Sequence, residues 1–548
     1  MRLRTLPVLG VFLFVAYLGA QKRFALTIDN IMRGPELVGY EPSAPRWSGD
    51  SEKIYFEWKQ ASDPILKPMD TYEVRRDGSG LRKLSEDEAR LAPPASGDES
   101  KDKTRTVFVR DGDILVYDHK TGHTRQLTKT ADVESNPHFT RDGKRVWFTR
   151  SNNLYALSLE DGFLEELSDI RAAGAPAPES APPVGQRGGS ATAQRSTSTE
   201  KERGTDSQEF VKKEERELID VVSQRARLRE EEEARKKKEN PRKPMTLEAR
   251  QNVASLALSP DEKIVIATIT DRGERTKTTI VPNYVTESGY TEDISGRNKV
   301  GDQQGRTRLA LIGVKDGEVK WVDHGQKDRE VILMRPEWSE DGTKGAVMAR
   351  AADNKDRWIL ALDPATGKTR VVFTDHDDAW IGGPGMQILG WMKNDHDIYF
   401  QSERDGYSHL YVVSYDGGEP RQLTAGKWEV QNAKLSEDKT RFYLTTNEGD
   451  PAETHLYSMP AGGGERTRIT SMPGRHRGVL SRDEKWIADV YSYTNKPPEL
   501  FVMENRPGAE EKKLTSSPAA DFWTYPWLDA PITHFIARDG ASVPVRVF

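Results

Sequence analysis

Cysteine is absent from the 548 residues of this sequence. Its absence excludes disulfide bridges, thiol nucleophiles, iron–sulfur clusters and cysteine-ligated zinc sites. The sequence also has no excess of positive charge, because 81 lysines and arginines stand against 87 aspartates and glutamates, a net charge of −6. Binding nucleic acid or an anionic membrane as a main task needs a concentrated positive field. The composition therefore indicates neither kind of protein.

Apolar residues are scarce as well, at 35%, whereas charged residues make up 31%. The chain is thus more polar than an average globular protein, and part of it is expected to be unpacked or highly solvated. The remainder has enough material for a large core, since the sequence holds 12 Trp, 17 Tyr and 16 Phe residues. Aromatic side chains bury the largest areas of any residue type.

The first twenty residues have the pattern of a secretory signal peptide. Arg2 and Arg4 precede an uncharged stretch over residues 6–20. At about 1.5 Å per residue this stretch spans roughly 22 Å, which is short of the ~30 Å hydrocarbon core of a bilayer. The pattern predicts a signal peptide at 1–20 and an exported protein, periplasmic or extracellular. Leu18 stands where a smaller residue is preferred before cleavage, so an uncleaved N-terminal membrane anchor is the alternative.

A short pattern recurs along the chain. A bulky apolar residue precedes a polar turn with Asp, and a β-rich run follows. The copies begin at Trp47, Phe139, Leu258, Trp338, Trp391, Leu435 and Leu480. The last three copies are 44 and 45 residues apart, and the longer gaps correspond to two units or to one unit plus an insertion. The strand at Ile114 is assigned to one further unit, which makes eight.

Units of this length with four alternating strands and Gly/Asp turns are typical of β-propeller blades. One blade cannot bury both of its faces alone, so the blades stack radially and leave only short edges exposed. The sequence therefore predicts an all-β fold, an eight-bladed β-propeller over residues 21–530.

Residues 170–245 interrupt the repeat. Residues 172–199 are rich in Ala, Pro, Gly and Ser and contain no aromatic residue, a composition that predicts a flexible linker. Residues 201–240 carry balanced charges, with Glu–base pairs four residues apart from Glu231 to Lys237, which favour a helix. We expect a helix that projects from the propeller, either as a solvated charged arm or as an arm that contacts a partner or substrate.

Motifs of hydrolytic and metal chemistry are missing from the sequence. The nearest approach to a Gly-x-Ser-x-Gly nucleophile elbow is 406–410, Gly-Tyr-Ser-His-Leu, which lacks the last glycine. There is no His-Glu-x-x-His zinc motif and no phosphate loop. Residues 375–378, Asp-His-Asp-Asp, lack the spacing of a calcium loop and are interpreted as an exposed inter-strand loop. No catalytic residue, metal ligand or cofactor is predicted in this chain.

Three segments carry a resemblance to a known family. Met32 to Trp58 reads MRGPELVGYEPSAPRWSGDSEKIYFEW, Ser402 to Val430 reads SERDGYSHLYVVSYDGGEPRQLTAGKWEV, and Ile536 to Phe548 reads IARDGASVPVRVF. The first resembles the entry into the propeller of the prolyl oligopeptidase family of serine peptidases, in its dipeptidyl peptidase IV-like branch. The second is similar to the Ser-Glu-Arg-x-Gly-x-x-His-Leu-Tyr blade of that branch. The third resembles the first strand of its α/β-hydrolase domain.

The resemblance implies a propeller that caps a Ser-Asp-His hydrolase domain and restricts access to short or unfolded peptides. Residues 531–548 would begin that hydrolase domain, and the catalytic triad would lie in further residues. The chain is therefore expected to be the propeller portion of an exported serine exopeptidase and inactive alone. The expected partners are a short peptide substrate of the full-length parent and, as an alternative to a monomer, a second copy of the chain, with no nucleic acid.

The resemblance also implies one substrate-binding site. In the dipeptidyl branch, Trp-Val-Tyr-Glu-Glu-Glu in a propeller insertion ends in two carboxylates that hold the free α-ammonium of the peptide. Here residues 209–215 read EFVKKEE in a comparable insertion, so Glu214 and Glu215 would match the pair. Paired carboxylates suit an ammonium because each accepts a charge-assisted hydrogen bond. Phe210 replaces Trp, and Lys212 and Lys213 replace Tyr and Glu, which leaves the dipeptide specificity open.

A second class of function fits the same repeat. A stand-alone periplasmic propeller of the TolB-like kind would bind proteins or glycans without catalysis and shares the Trp-Ser-x-Asp-Gly turn. The two hypotheses differ at the strand around residues 538–540, which a closed stand-alone propeller does not need.

Overall fold

The computed structural model describes residues 24–174, 242–273, 277–299, 301–302, 305–327 and 329–547, with five positions of the insertion: Gln224, Arg227, Leu228, Glu231 and Arg235. The predicted signal peptide at 1–20 lies outside the described residues. Among the helices of the described part, none is both long enough and apolar enough to cross a bilayer.

Eight antiparallel sheets account for most of the described residues, and in each sheet the strands are hydrogen-bonded in chain order. They form an eight-bladed β-propeller arrangement, which confirms the predicted fold. Blades 1 to 3 consist of β1 (Ser43–Trp47), β2 (Lys53–Trp58), β3 (Asp70–Arg75) and β4 (Arg82–Lys83); β5 (Asp98–Glu99), β6 (Arg105–Arg110), β7 (Asp113–Asp118) and β8 (Thr124–Gln126); and β9 (Glu134–Phe139), β10 (Arg145–Arg150), β11 (Asn153–Ser158) and β12 (Leu164–Glu166).

A short parallel pair separates blade 3 from blade 4, and it consists of β13 (Ile170–Arg171) and β14 (Met245–Thr246). Blade 4 then contains β15 (Gln251–Leu258), β16 (Ile264–Asp271), β19 (Arg306–Gly313) and β20 (Val319–Trp321). A separate hairpin, β17 (Ile280–Asn283) with β18 (Glu292–Ser295), is inserted between β16 and β19. The insertion predicted from the long gap before Trp338 is thus this hairpin and its flanks.

The remaining blades follow the same order. Blades 5 to 8 consist of β21 (Val331–Leu333), β22 (Glu337–Trp338), β23 (Gly345–Ala351), β24 (Asp356–Leu362) and β25 (Thr369–His376); β26 (Leu389–Trp391), β27 (Asp397–Ser402), β28 (His409–Ser414) and β29 (Arg421–Gln422); β30 (Val430–Leu435), β31 (Arg441–Thr446), β32 (His455–Pro460) and β33 (Thr467–Arg468); and β34 (Gly478–Leu480), β35 (Trp486–Tyr493), β36 (Lys496–Glu504) and β37 (Lys512–Lys513). In blade 5 the first strand is divided, since β21 and β22 both pair with β23.

Outside the blades, the described residues include four short helices and a terminal hairpin. The helices are α1 (Ile28–Met32), α2 (Pro35–Val38), α3 (Glu86–Leu91) and α4 (Ala520–Thr524). Strands β38 (Ile532–Ile536) and β39 (Ser542–Arg546) pair with each other in a two-stranded sheet. The segment that resembles the start of a hydrolase domain is therefore not a strand of any blade. All five described positions of the insertion, from Gln224 to Arg235, are helical.

The recurring turn of the sequence has one hydrogen-bond pattern in seven blades. After the first strand, a Ser or Thr hydroxyl donates to an Asp carboxylate two residues later, at 2.5–2.7 Å. The pairs are Ser48–Asp50, Ser100–Asp102, Thr140–Asp142, Ser259–Asp261, Ser339–Asp341, Ser436–Asp438 and Ser481–Asp483. The same hydroxyl accepts from the N–H that opens the second strand, as from Lys53 to Ser48 at 2.9 Å. These side chains thus provide hydrogen-bond acceptors for the N–H groups of a tight turn, which backbone carbonyls alone would leave unpaired.

Two blades depart from the sequence pattern at this turn. All seven predicted start residues are the last residue of a first strand, but blade 2 has Glu99 at that position, which is why only a later strand indicated this unit. In blade 6 the turn has Met392 in place of the hydroxyl residue and Asn394 in place of the Asp, and Oδ1 of Asn394 accepts from the N–H groups of His396 and Asp397.

Two of the tryptophans before these turns join neighbouring blades. Trp47 is buried and its indole N–H donates to the carbonyl of Val479 at 3.0 Å. Trp391 likewise donates to the carbonyl of Glu337 at 3.2 Å. In both cases the acceptor belongs to the first strand of the preceding blade, so this tryptophan joins adjacent sheets as well as filling space.

Contacts divide the chain into two compact units. The first comprises Met1–Arg90, Ala452–His455 and Ile469–Phe548, and the second comprises Leu91–Pro451 and Leu456–Arg468. Blades 1 and 8 share the core of the first unit, where alternate residues of β2 (Ile54, Phe56 and Trp58) pack with Val490 and Leu500. The largest core of the second unit lies among blades 3 to 5.

Candidate functional site

The most unusual polar environment of the second unit lies beside the end of β25 and the end of β27. Two loops meet there, residues 377–388 between β25 and β26 and residues 403–408 between β27 and β28. We refer to these two loops as the loop pair. Charged groups are buried beneath them, which is costly unless each finds a partner.

Arg357 of β24 is the central buried charge, with 2% of its surface exposed. Its guanidinium donates to the Asp375 carboxylate at 2.8 Å, to the carbonyl of Met386 at 2.8 Å and to the carbonyl of Gln401 at 2.7 Å. Burial lowers the pKa of Arg357, while Asp375 acts in the opposite direction. Asp375 also accepts from the Ser402 hydroxyl at 2.6 Å. One arginine therefore connects β24, the end of β25, the end of β27 and the 377–388 loop.

The 377–388 loop approaches the neighbouring strand so closely that it needs glycine. Gly383 and Gly385 have φ of +84° and +69°, and a Cβ at either would overlap the side chain of Glu403 or Gln401, respectively. Between the two glycines, the carbonyl of Pro384 accepts from the Ser408 hydroxyl at 2.7 Å. The sequence Gly-Gly-Pro-Gly thus allows the loop to pack directly on the polar end of β27.

Glu403 is the half-buried carboxylate of the site. It accepts from the N–H of Gly382 at 3.3 Å. Burial raises the pKa of Glu403, and the negative charge of Glu429 raises it further, while Arg357 opposes the rise. The position therefore has an excess of negative charge that a bound cation would relieve. An ammonium group is a suitable cation, because it donates charge-assisted hydrogen bonds to carboxylates.

An aromatic side chain lies at the surface of the same loop. Trp380 is 67% exposed. Its backbone is held by Asp377, whose carboxylate accepts from the N–H groups of Ala379 and Trp380 at 2.7 and 2.9 Å. Exposed tryptophans on ordered backbone are frequent at binding surfaces. Trp380 and Glu403 together can hold an apolar group beside a positive one.

Two polar atoms beneath the loop pair have no hydrogen-bond partner among the described residues. They are Oε1 of Gln401, which is fully buried, and the hydroxyl of Tyr411, which is 3% exposed. Buried polar atoms without partners are rare in folded proteins, and each calls for an explanation such as a bound ion, a water molecule or a functional role. They add to the indication that this end of blades 5 and 6 has a role beyond stability.

The sequence motif shared with the peptidase branch forms a packing unit beside this site. The His409 ring bonds Oγ1 of Thr424 through Nδ1 and the carbonyl of Gly426 through Nε2, both at 3.0 Å. It also makes an edge contact with Trp428. Thr424 Oγ1 accepts in addition from the N–H of Leu410 at 3.0 Å. These contacts therefore fix blade 6 and support the loop pair.

The predicted pair Glu214 and Glu215 lies outside the described residues. The serine of the nearest elbow-like sequence, Ser408, is buried in a hairpin loop. The interpretation of residues 375–378 as an exposed loop is wrong for Asp375, which is 6% exposed, because Arg357 pairs with it inside the blade. The adjacent His376 bonds Asp356 at 2.7 Å and Asp378 at 3.2 Å.

The sequence analysis missed Arg357, Gln401, Glu403 and Glu429 as site residues. A partial signal was present, since Glu403 and Glu429 fall within the segment that carries the family resemblance. Arg357 had no such signal, because an isolated arginine in a strand usually faces solvent.

Comparison with known proteins gives one family match and several relatives. Residues 251–498 match the family described as the dipeptidyl peptidase IV (DPP IV) N-terminal region. A probable dipeptidyl peptidase 4 of Aspergillus flavus is 32% identical over 173 residues, which are 29% of this chain and 22% of that protein. A probable dipeptidyl-aminopeptidase B of Emericella nidulans is 28% identical over 198 residues, which are 32% of this chain and 21% of that protein. The matches thus span about a fifth of the length of these relatives.

Two solved structures share the fold. The crystal structure of Porphyromonas gingivalis dipeptidyl peptidase 4 superposes with a TM-score of 0.60 at 15% identity, covering 95% of this chain and 66% of that one. A putative dipeptidyl aminopeptidase IV from Bacteroides ovatus gives 0.54 at 12% identity, with coverages of 93% and 65%. Over residues 251–498, the chain is therefore similar to the dipeptidyl peptidase IV N-terminal region.

Proposed function

We propose that this chain is the substrate-gating propeller of an exported serine exopeptidase that cleaves short peptides in the manner of a dipeptidyl peptidase. The family match over residues 251–498 carries the proposal. In this proposal the catalytic Ser, Asp and His belong to a hydrolase domain encoded after Phe548, and the chain alone is inactive. The pairing of β38 with β39 outside the blades is compatible with a domain that begins there.

The loop pair is proposed to face the peptide. Glu403 and Glu429 supply negative charge for the free ammonium of the peptide, and Trp380 offers an apolar surface beside them. A residue that binds the ammonium through a charge-assisted hydrogen bond contributes about 1.5–3 kcal/mol. Loss of that charge should therefore raise KM about tenfold or more.

The decisive experiment extends the reading frame past Phe548 and assays the full-length protein on dipeptidyl substrates. Hydrolysis of a substrate with a free N-terminus, and not of its acetylated form, is the expected result. A stop codon with no downstream Gly-x-Ser-x-Gly, or no hydrolysis by the full-length protein, would contradict the proposal. Either result would favour a stand-alone propeller that binds proteins or glycans.

Variants of the full-length protein test the loop pair. Glu403→Gln keeps an acceptor for the Gly382 N–H but removes the charge, so KM should rise while kcat changes little. Trp380→Ala should also raise KM. Phe163→Ala is the matched control, because Phe163 is equally exposed (65%) but lies in blade 3. An unchanged KM in both loop variants would show that the peptide does not bind there.

Glu214 and Glu215 remain a proposed second site for the peptide ammonium. Glu214→Ala in the full-length protein should raise KM for substrates with a free N-terminus. Glu217→Ala is the control, since it removes a carboxylate from the same acidic stretch. Equal KM values for Glu214→Ala and wild type would refute this role.

Export and self-association are further proposals. Export rests on residues 1–20 and is tested by cell fractionation with N-terminal sequencing of the secreted form. Self-association is supported by the β17–β18 hairpin, where Val285 and Tyr290 are 90% and 80% exposed. Light scattering should show a dimer that Val285→Asp disrupts and that Leu66→Asp, at another exposed apolar position (92%), leaves intact. A wild-type monomer would refute self-association.

A further inference from the structure

A cluster of possible metal ligands lies in blade 8, inside the first unit. His476 precedes β34, Asp489 belongs to β35 and Glu511 precedes β37. Each offers one ligand atom, and these atoms all lie within 4.8 Å of one another. Metal–ligand bonds of about 2.0–2.2 Å place the ligands of one ion roughly 3.3 Å apart. The three side chains are therefore close to the spacing that a single ion requires.

Two of the three side chains are buried, and Glu511 is partly exposed. His476 is fully buried and Asp489 is 1% exposed. A neutral imidazole with two carboxylates carries a charge of −2 in this interior position, which is strongly unfavourable without compensation. A divalent cation would bring the charge of the group to zero, whereas a proton on the imidazole would leave −1. A proton on the imidazole neutralises the buried pair of His476 and Asp489, and a divalent ion would in addition neutralise the partly exposed Glu511.

The histidine has the orientation of a metal ligand. Its Nε2 lies 2.8 Å from the carbonyl of Met472. A carbonyl oxygen only accepts, so Nε2 carries the hydrogen and Nδ1 faces the carboxylates. Nδ1 is 2.6 Å from Oδ2 of Asp489, a direct hydrogen bond, so a bound ion would replace the proton between these two atoms and move them apart. Metal-bound histidines typically donate their second ring N–H to a backbone carbonyl in this way, which fixes the ring.

The two carboxylates are also held in place by backbone groups. Oδ1 of Asp489 accepts from the N–H of Arg477 at 2.8 Å. Oε1 of Glu511 accepts from the N–H of Ser471 at 2.7 Å and from the N–H of Met472 at 3.2 Å. The other oxygen, Oε2, is buried and has no hydrogen-bond partner among the described residues. A buried carboxylate oxygen left without a donor is an independent sign that a ligand belongs beside it.

We propose that His476 Nδ1, Asp489 and Glu511 bind one divalent transition-metal ion, with Zn²⁺ as the test ion. A nitrogen ligand combined with two carboxylates suits zinc and its neighbours, whereas Ca²⁺ and Mg²⁺ prefer oxygen ligands alone. The ion would join the segment before β34, the middle of β35 and the start of β37. Its role is structural, because it would cross-link three parts of one blade in a chain without disulfides.

The experiment uses the full chain without an affinity tag, treated with a chelator and dialysed. Calorimetric titration with ZnCl₂ should show one site per chain, and the same addition should raise the melting temperature. Glu511→Gln keeps an oxygen for the Ser471 and Met472 N–H groups but is a poor ligand, so it should fold normally. Its affinity for Zn²⁺ should fall at least about tenfold, the loss typical even of an outer partner of a metal site.

The control variant is His396→Asn, since His396 is a part-exposed histidine of blade 6 beside Asp416 at 3.4 Å. It should bind Zn²⁺ as the wild type does. The inference is overturned if the wild type binds no Zn²⁺, if Glu511→Gln binds as tightly as the wild type, or if His396→Asn loses the site. In each of those cases the cluster holds a proton between His476 and Asp489 in place of a metal ion.

Discussion

The buried pair of Arg357 and Asp375 gives the sharpest test of how the candidate site is built. Asp375→Leu leaves the guanidinium, at 2% exposure, without the carboxylate to which it is bonded. Arg357→Met leaves the carboxylate with only the Ser402 hydroxyl and frees two carbonyls that the guanidinium had paired. Each single change therefore strands a charge in a position from which water is excluded.

The expected loss of unfolding free energy follows from the loss of the opposite charge. Removing one partner of a buried ion pair costs about 3–5 kcal/mol, because the remaining charge keeps its desolvation penalty. Replacing both partners by apolar residues removes the penalty together with the attraction. The loss of unfolding free energy in the double variant Arg357→Met/Asp375→Leu should therefore be smaller than the sum of the losses in the two single variants. We expect the difference to be at least roughly 2 kcal/mol.

Urea unfolding followed by tryptophan fluorescence measures these free energies. Arg306→Met is the control, because its ion pair with Glu330 is exposed on both sides, at 66% and 46%, and the urea midpoint should change little. The reasoning is refuted if the single variants unfold at the wild-type midpoint. It is also refuted if the double variant shows the simple sum, since coupled groups in contact are not additive.

Three further predictions concern the turns and the close loop. Ser436→Ala should lower the free energy of unfolding by roughly 1–3 kcal/mol in urea titrations, because the hydroxyl is buried and serves two N–H groups and one carboxylate; an unchanged midpoint would contradict this. The hydroxyl and N–H donors of such turns lower the pKa of Asp102 and Asp438 from 3.8 to about 2. The stability that these two ionised carboxylates contribute should therefore be complete above pH 3.8, the pKa of the unfolded state, and lost as the pH falls towards 2. Thermal melts at stepwise pH can follow this loss. Melting temperatures that do not fall over this range would contradict the prediction. Gly385→Ala should destabilise the loop pair, because the methyl group would overlap Gln401, and hydrogen exchange over residues 377–388 should become faster; unchanged exchange would contradict this account.

The blade count could be predicted from the sequence because the turn that defines a blade is local. The hydroxyl and the carboxylate are two residues apart, and the N–H that they serve follows within five residues, as in Ser48 to Lys53. This turn gives the same short sequence pattern wherever it occurs. Blade 2 was detected only indirectly, since the turn is intact at Ser100 but the residue before it is Glu99.

The candidate site could not be predicted in the same way. Arg357 reaches Asp375 across 18 residues, Met386 across 29 and Gln401 across 44. Nothing in the sequence around Arg357 indicates that these groups converge, because burial of an arginine is decided by the packing of three neighbouring segments. Glu403 was inside a recognised motif, yet its altered pKa depends on Glu429 and on burial, which only the fold brings about.

The parallel pairing of β13 with β14 has a practical consequence. Ile170 pairs with Met245 and Arg171 with Thr246, so the two ends of the 73 residues between them meet at one place. The entropy of closing a loop grows only with the logarithm of its length, and replacing these residues by a linker of about ten would stabilise the fold by roughly 2 kcal/mol. The same junction could accept a foreign folded domain whose own termini lie close together. The pairing of β13 with β14 therefore marks a position where a folded module can be inserted into the propeller.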